Sequence, residues 1–131
     1  MIYAMSDIHG QYEQFLTLVE QIGIREEDTL YILGDVVDRG PEPMKILKYM
    51  MVHSNIIPII GNHEVMALPN LKLLVPEVSR NFLDKLPPKV YRDFDNWTQN
   101  GSTSTIQDFR KLQQEERRQI VEYMESFRPY G

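Results

Sequence analysis

The chain of 131 residues has room for one domain with a modest core, and its contents of 42% hydrophobic and 25% charged residues are ordinary for a globular protein. A net charge of −5 gives no support to binding of nucleic acid or of an anionic membrane surface, and no segment is long and apolar enough to span a bilayer. Because the chain has no cysteine, disulfides, thiolate metal sites and cysteine nucleophiles are excluded, which fits a cytoplasmic protein.

The first 60 residues alternate between short apolar runs and segments with helical spacing. We predict, in order, a strand at Ile2–Met5, a helix over 11–22, a strand over 29–33, a helix from about Pro43 to His53, and a strand over 56–60. This alternation is typical of an α/β fold with a parallel sheet covered by flanking helices. Each strand is a nearly continuous apolar run, as expected when both faces of the sheet are buried. Pro58 indicates an edge or a bulge in the third strand.

The second half of the sequence predicts helices only. Four prolines interrupt residues 69–97, which we expect to form short helices. Residues 100–105 predict a loop in which Ser104 or Thr105 caps a helix that starts near residue 106. Residues 113–127 predict an amphipathic helix, and no strand is predicted after residue 60. The apolar face of that last helix is formed by Ile120, Val121, Met124 and Phe127.

A cluster of polar residues follows each of the three predicted strands. The clusters are "SDIHG" at 6–10, "GDVVDRG" at 34–40 and "GNHE" at 61–64. In an open parallel sheet, the ligand site lies beyond the carboxyl ends of the strands, so we expect the three clusters to meet at one edge of the sheet. Their convergence is a stronger signal than any cluster alone.

The first cluster predicts metal ligands. Asp7 and His9 are two residues apart, and in an extended chain both side chains point to the same side. An oxygen and an imidazole nitrogen suit a hard or borderline divalent cation. The alternative is that Asp7 caps the following helix and that His9 is a polar turn residue.

The second and third clusters add acidic, amide and imidazole groups. Asp35 is placed to bridge two cations, which need a shared anion when they lie close together. Asn62 offers a neutral oxygen ligand, and His63 could titrate near neutral pH and donate a proton to a leaving group. The alternatives are an acidic turn with a surface Asp38–Arg39 pair and a helix start at His63. His53, at the end of a predicted helix, is expected to be structural.

Together the three clusters resemble the signatures of the metallophosphoesterases, Gly-Asp-x-His-Gly, Gly-Asp-x-x-Asp-Arg-Gly and Gly-Asn-His-Glu, in the form found in serine/threonine protein phosphatases of the bacterial and phage type. They stand in the family's order, with 28 residues from Asp7 to Asp35 and 27 from Asp35 to Asn62. The resemblance runs from residue 1 to about 68, and "WTQNGSTST" at 97–105 resembles the family's Trp…Asn-Gly-Gly…Thr segment. It implies the N-terminal half of the family's αββα sandwich.

The resemblance also implies a metal centre. At matching positions, Asp7, His9 and Asp35 resemble the ligands of the family's first metal, and Asp35 and Asn62 resemble ligands of its second. The implied cofactors are two divalent ions, with manganese preferred and iron, zinc or magnesium possible.

The catalytic residues that the resemblance implies lie in the second and third clusters. His63 resembles the family's general acid, Asp38 the residue that orients it, and Arg39 the residue that holds the phosphate oxygens. In the family, a metal-bound hydroxide attacks phosphorus directly and no phospho-enzyme forms, which agrees with the ability of two cations to lower the pKa of a shared water.

The sequence departs from the family in three ways. Ser6 and Ser102 stand where the family has glycine, which are mild departures. The chain has three histidines, none of them after His63, whereas the family has two later histidines that complete the second metal site. We therefore expect residues 1–131 to be a single metallophosphoesterase domain that is incomplete at its C-terminus, with a weak second metal site. An uncovered apolar face could then promote self-association.

Several functions remain open from the sequence. The leading one is a metal-dependent enzyme that hydrolyses phosphate monoesters, with a phosphorylated protein or a small phosphoester as substrate, most simply a serine/threonine protein phosphatase. The alternatives are a symmetrical diadenosine tetraphosphate hydrolase, a truncated non-catalytic fragment with one metal site, and a plain α/β domain with polar loops.

Overall fold

A computed structural model describes residues 1–129 as an α/β fold. Three strands and three helices alternate, and further helices follow. In chain order the elements are β1 (Ile2–Met5), α1 (Tyr12–Ile22), β2 (Thr29–Ile32), α2 (Pro43–Met51), β3 (Ile56–Pro58), α3 (Asn62–Leu73), a 3₁₀ turn (Leu83–Lys85), α4 (Pro88–Gln99), α5 (Thr103–Arg110) and α6 (Gln114–Glu125).

The three strands form one parallel sheet in the order β1-β2-β3. The register pairs Ile2 with Thr29 and Leu30 with Ile56, so the carboxyl ends of all three strands lie at one edge. Parallel strands joined through helices take right-handed crossovers. Since the strand order is also the chain order, α1 and α2 lie on the same face of the sheet. The predicted α/β fold with flanking helices is confirmed.

Within residues 1–129 only one face of the sheet is covered, which corrects the expectation that both faces are buried. Leu30 and Ile32 point to the helix side and are fully buried. Their neighbours point the other way, and Ile2 is 74% and Leu33 40% exposed. The apolar runs alone could not distinguish the two faces, because the covered side is set by the handedness of the crossovers. Self-association through this face stays a prediction.

Pro58 ends β3 and does not interrupt its pairing with β2. The Ile59 amide donates to Ile32 O at 2.8 Å, and the Ile60 amide donates to Arg128 O at 2.8 Å. Because amides alternate in direction along a strand, position 58 lies on the side away from β2, where a missing N–H costs no bond with that strand. The Arg128 amide also donates to Pro58 O. Arg128 thus forms a single bridge beside β3, where the sequence predicted no strand.

The second half is helical, as predicted, but its boundaries differ. Pro69 lies inside α3, and α4 is a full helix of 12 residues. Helix α5 begins at Thr103 and not near residue 106, so Thr105 is inside the helix and neither it nor Ser104 caps it. The turn at Gly101, with φ of +97°, brings the chain into the helix earlier than the loop-like sequence suggested.

Helix α6 agrees with the predicted amphipathic helix. Its start is stabilised by Glu116, which accepts a hydrogen bond from the Gln113 amide. It packs against α2 and α3, and the four predicted core residues are all buried. Within residues 1–129, no helix is both long and apolar enough to cross a membrane.

Candidate active site

The three polar loops meet at the carboxyl edge of the sheet in direct backbone contact. The amide of His9 donates to Asp35 O at 2.9 Å, which joins the first loop to the second. A Cβ atom added to Gly34 would lie 2.4 Å from the Cα of Gly61, and one added to Gly40 would lie 1.7 Å from the carbonyl oxygen of His9. Glycine at these positions therefore allows the loops to approach closely enough to share one site.

The backbone of the site is strained. Five non-glycine residues have positive φ: Asp7, His9, Asp35, Asp38 and Arg39. Each such conformation costs on the order of 1–3 kcal/mol and persists only where the surrounding structure imposes it. Among residues 1–129, these five are the only non-glycine residues in this conformation, and all five belong to the predicted site. The strain is thus concentrated in the loops that carry the chemistry.

Glu64 holds the second and third loops together. Its side chain is fully buried, and Oε1 accepts hydrogen bonds from the amides of Asp35 (2.6 Å) and Gly61 (3.0 Å). Oε2 accepts from the amides of Val36 (2.9 Å) and Val37 (3.3 Å). Burial raises the pKa of this carboxyl, while the amide donors oppose that shift. Sequence reasoning gave Glu64 no role, although it completes the third signature.

Three predicted ligands form a compact group of metal donors. Asp7, His9 and Asp35 each offer a ligand atom, and these atoms lie within 4.8 Å of one another. His9 Nδ1 lies 3.0 Å from the carbonyl oxygen of Val37, which requires the proton on Nδ1 and leaves Nε2 free as a ligand. Two carboxylates and one imidazole fit a hard or borderline divalent cation. The donor set thus fits the expected metal.

Asn62 is less closely tied to this group. It is exposed at the first position of α3. The amide of the next residue, His63, donates to Asp35 Oδ1 at 3.0 Å, so the start of α3 lies against Asp35. The loops therefore bring Asn62 to the same end of the sheet.

His63 and Asp38 form a buried pair beside the metal donors. His63 Nδ1 is 2.8 Å from Asp38 Oδ2, and the His63 ring packs edge-on against His9 with ring centroids 4.8 Å apart. Asp38 also accepts hydrogen bonds from Trp97 Nε1 at 2.8 Å and from Thr105 Oγ1 at 2.9 Å. Trp97 and Thr105 were not identified as site residues. The signal in the sequence is the segment 97–105, which contains both residues and resembles the Trp…Asn-Gly-Gly…Thr segment of the family.

Arg39 lies at the edge of the site, whereas His53 lies outside it. Arg39 is exposed at the edge of the site, and its amide donates to Gly101 O at 2.9 Å. His53 lies two residues after the end of α2, where Nδ1 contacts Tyr49 O at 2.6 Å and the ring stacks on Tyr49 with centroids 4.1 Å apart. These contacts join His53 to its own helix and leave it out of the site.

A cavity of about 220 Å³ opens beside the metal donors. Asp7 and His9 line it together with the apolar side chains of Phe15 and Leu18. A second cavity, of about 440 Å³, lies in the helical half of the chain. Phe82 and Ile106 line it, and none of the predicted site residues do. Of these two cavities, the first adjoins the predicted site.

Comparison with known proteins gives one family. The family model of the calcineurin-like phosphoesterases matches residues 1–127. A symmetrical bis(5′-nucleosyl)-tetraphosphatase from Buchnera aphidicola subsp. Acyrthosiphon pisum (strain 5A) is 31% identical over 115 residues, which are 84% of this chain and 41% of that protein. The corresponding protein from Wigglesworthia glossinidia brevipalpis is 34% identical over 80 residues, 60% of this chain and 28% of that protein.

A solved structure shares the fold. The metallophosphoesterase from Sphaerobacter thermophilus superposes with a TM-score of 0.57 at 24% identity, over 96% of this chain and 40% of that one. The chain therefore spans well under half the length of the relatives it matches. On the family match over nearly its whole length, this chain belongs to the calcineurin-like phosphoesterases.

Proposed function

We propose that this chain provides the metal-binding and proton-donating residues of a hydrolase that cleaves a P–O bond of a small phosphate compound, with dinucleoside tetraphosphates as the favoured substrate class. The observation that carries the proposal is the position of the buried His63–Asp38 pair beside the donors Asp7, His9 and Asp35. A divalent cation at those donors would supply Lewis acidity toward the phosphoryl oxygens and lower the pKa of a bound water.

The side chains of the site have separate roles in this proposal. In the reaction, a water oxygen forms a new bond to phosphorus while the bond from phosphorus to the leaving oxygen breaks. His63 protonates the leaving oxygen from Nε2, because Nδ1 is hydrogen-bonded to Asp38. The proton lost by the attacking water passes to solvent. Arg39, exposed at the rim, pairs its guanidinium with the phosphoryl oxygens.

The relatives favour one of the two substrate classes left open by the sequence. Those reported above are named for bis(5′-nucleosyl) tetraphosphates. This favours the dinucleoside alternative over the protein phosphatase that the signatures alone suggested. The cavity lined by Phe15 and Leu18 beside the donors offers an apolar surface for a planar nucleotide base.

Hydrolysis assays of the full chain test the proposal. The metal-free protein is supplied with Mn²⁺ and offered, side by side, diadenosine tetraphosphate and a phosphoserine peptide. We expect the dinucleotide to be cleaved into two nucleoside diphosphates and the peptide to be cleaved more slowly. His63→Asn should lower the rate by roughly 10²- to 10⁴-fold, the usual contribution of a general acid.

Three results would count against the proposal. A faster reaction with the peptide would favour the protein phosphatase. Full activity of His63→Asn would refute the acid role of His63. Mn²⁺ binding without turnover of either substrate would favour the non-catalytic alternative with one metal site.

A further inference from the structure

The Asp38 carboxylate is held by donors from three helices. Oδ2 accepts from His63 Nδ1 of α3 and from Trp97 Nε1 of α4, each at 2.8 Å. Oδ1 accepts from Thr105 Oγ1 of α5 at 2.9 Å. The Thr105 oxygen in turn accepts the Asp38 amide proton at 2.8 Å, so this hydroxyl contacts both the backbone and the side chain of Asp38.

All of these groups are removed from water. Asp38, Trp97 and Thr105 are fully buried, and His63 is 7% exposed. A buried carboxylate with three donors on fixed helices has little freedom to rotate, because any other orientation would leave a donor unpaired. Asp38 also has φ of +75°, so its backbone conformation is unfavourable without these contacts.

The hydroxyl of Thr105 makes different contacts from the hydroxyl of Thr98, another helical threonine nearby. In α4, Thr98 Oγ1 donates to Phe94 O four residues earlier, the usual bond of a threonine inside a helix. Thr105 instead contacts a residue 67 positions away in sequence. Phenylalanine at position 97 would keep an aromatic ring in the core but would offer no N–H to Asp38. Both side chains thus contribute more than packing.

We propose that Trp97 and Thr105 are positioning residues that fix the orientation of Asp38 and thereby keep one proton of His63 on Nδ1. Nε2 is then the nitrogen that carries the transferable proton toward the leaving oxygen, and the neutral ring left after the transfer is the Nδ1-protonated tautomer. The inference rests on the proposed function, in which His63 donates the proton. Its structural part, the hold on the tautomer of His63, can be measured without turnover.

Nitrogen NMR of the neutral imidazoles, at one fixed alkaline pH, tests that structural part. In the wild-type protein we expect one neutral His63 tautomer, protonated at Nδ1, and a downfield-shifted Trp97 indole proton protected from exchange. Trp97→Phe and Thr105→Val should each give a mixture of the two His63 tautomers. Thr105→Ser restores the hydroxyl and should restore the single tautomer, and Thr98→Val is the matched control that should change nothing.

Unchanged His63 signals in both Trp97→Phe and Thr105→Val would overturn the proposal. If both variants unfold, the wild-type spectrum still decides. An exposed, freely exchanging indole proton at Trp97, or two His63 tautomers in the unmodified chain, contradicts the arrangement.

The kinetic part uses two leaving groups. A general acid matters more for a poor leaving group, so phenyl phosphate should be affected more than 4-nitrophenyl phosphate. We expect Trp97→Phe and Thr105→Val to lower kcat for phenyl phosphate by about 10-fold, a fraction of the roughly 10²- to 10⁴-fold effect of an acid, with KM unchanged. An equal loss on both substrates would indicate a purely structural role and overturn this part.

The failure of the inference can be told apart from the failure of the proposed function. If His63→Asn shows no dependence on the leaving group, the acid role of His63 itself is wrong. If His63→Asn shows that dependence and Trp97→Phe and Thr105→Val do not, only the positioning role is wrong.

Discussion

Replacing Glu64 by glutamine should destabilise the protein strongly, because the carboxylate is surrounded only by donors. Oε1 accepts from the amides of Asp35 and Gly61, and Oε2 from the amides of Val36 and Val37. Glutamine can present one oxygen, so one pair of amides must face an NH₂ group that cannot accept their protons.

The magnitude follows from the two amides left unpaired. A buried donor without a partner costs about 1–3 kcal/mol, so two such amides give about 2–6 kcal/mol. Burial raises the pKa of Glu64, so removing the charge recovers part of that cost. We therefore expect Glu64→Gln to lower the free energy of unfolding by about 2–4 kcal/mol, a large share of the roughly 5–15 kcal/mol typical of a domain.

Urea unfolding followed by circular dichroism measures this change. The matched control is Glu125→Gln, which removes only an exposed ion pair with Lys72 and should cost under about 1 kcal/mol. If Glu64→Gln is no more destabilising than Glu125→Gln, the structural role of the Glu64 carboxylate is refuted.

Three other substitutions test separate parts of the fold. Gly34→Ala should destabilise the protein well beyond the roughly 1–2 kcal/mol expected of Gly23→Ala. Both glycines have positive φ, but only a Cβ at position 34 would clash with Gly61. Urea unfolding compares the two variants, and equal losses of stability would contradict the close contact between the loops. Tyr123→Phe should stabilise the protein by about 1 kcal/mol, because among residues 1–129 the buried hydroxyl has no hydrogen-bond partner. Burial raises the pKa of Tyr123 to about 12 from the ordinary 10.0, so the folded phenol stays protonated where the unfolded one ionises. The stability of the wild-type protein should therefore fall as the pH rises from about 10 to 12, and Tyr123→Phe should not show this loss. If the two proteins lose stability in parallel over this range, the raised pKa of Tyr123 is refuted. Leu33→Lys, on the open face of the sheet, should reduce any self-association measured by sedimentation, and unchanged association would place the contact elsewhere.

The local features of the fold were predictable from the sequence. Strand β1 and helix α1 follow directly from the apolar periodicity, and Gly23 ends α1 in the left-handed conformation expected of a helix stop. The meeting of the three polar loops was also predictable, since parallel strands end at one edge of the sheet. The grouping of Asp7, His9 and Asp35 as ligands of one metal is what the resemblance to the metallophosphoesterases implies, and the three donors do lie together.

The features missed depend on contacts between distant parts of the chain. Trp97 and Thr105 reach Asp38 across 59 and 67 residues, and no spacing rule relates those positions. Glu64 was overlooked because a buried acid whose partners are all backbone amides leaves no pattern of side chains in the sequence. The open face of the sheet was missed because an apolar strand carries the same residues whether one of its faces or both are covered.

The binding of Mn²⁺ to the metal-free full chain, measured by isothermal titration calorimetry, tests the central claim most directly. We expect one well-defined site, with Asp35→Asn weakening the affinity by more than about 100-fold, since even changes outside the ligand shell cost about 10–100-fold. Asp84→Asn, in the exposed 3₁₀ turn, is the control and should bind as the wild type does. Equal affinity in Asp35→Asn and the wild type, or no binding to the wild-type chain, would contradict the claim that three loops assemble one cation site.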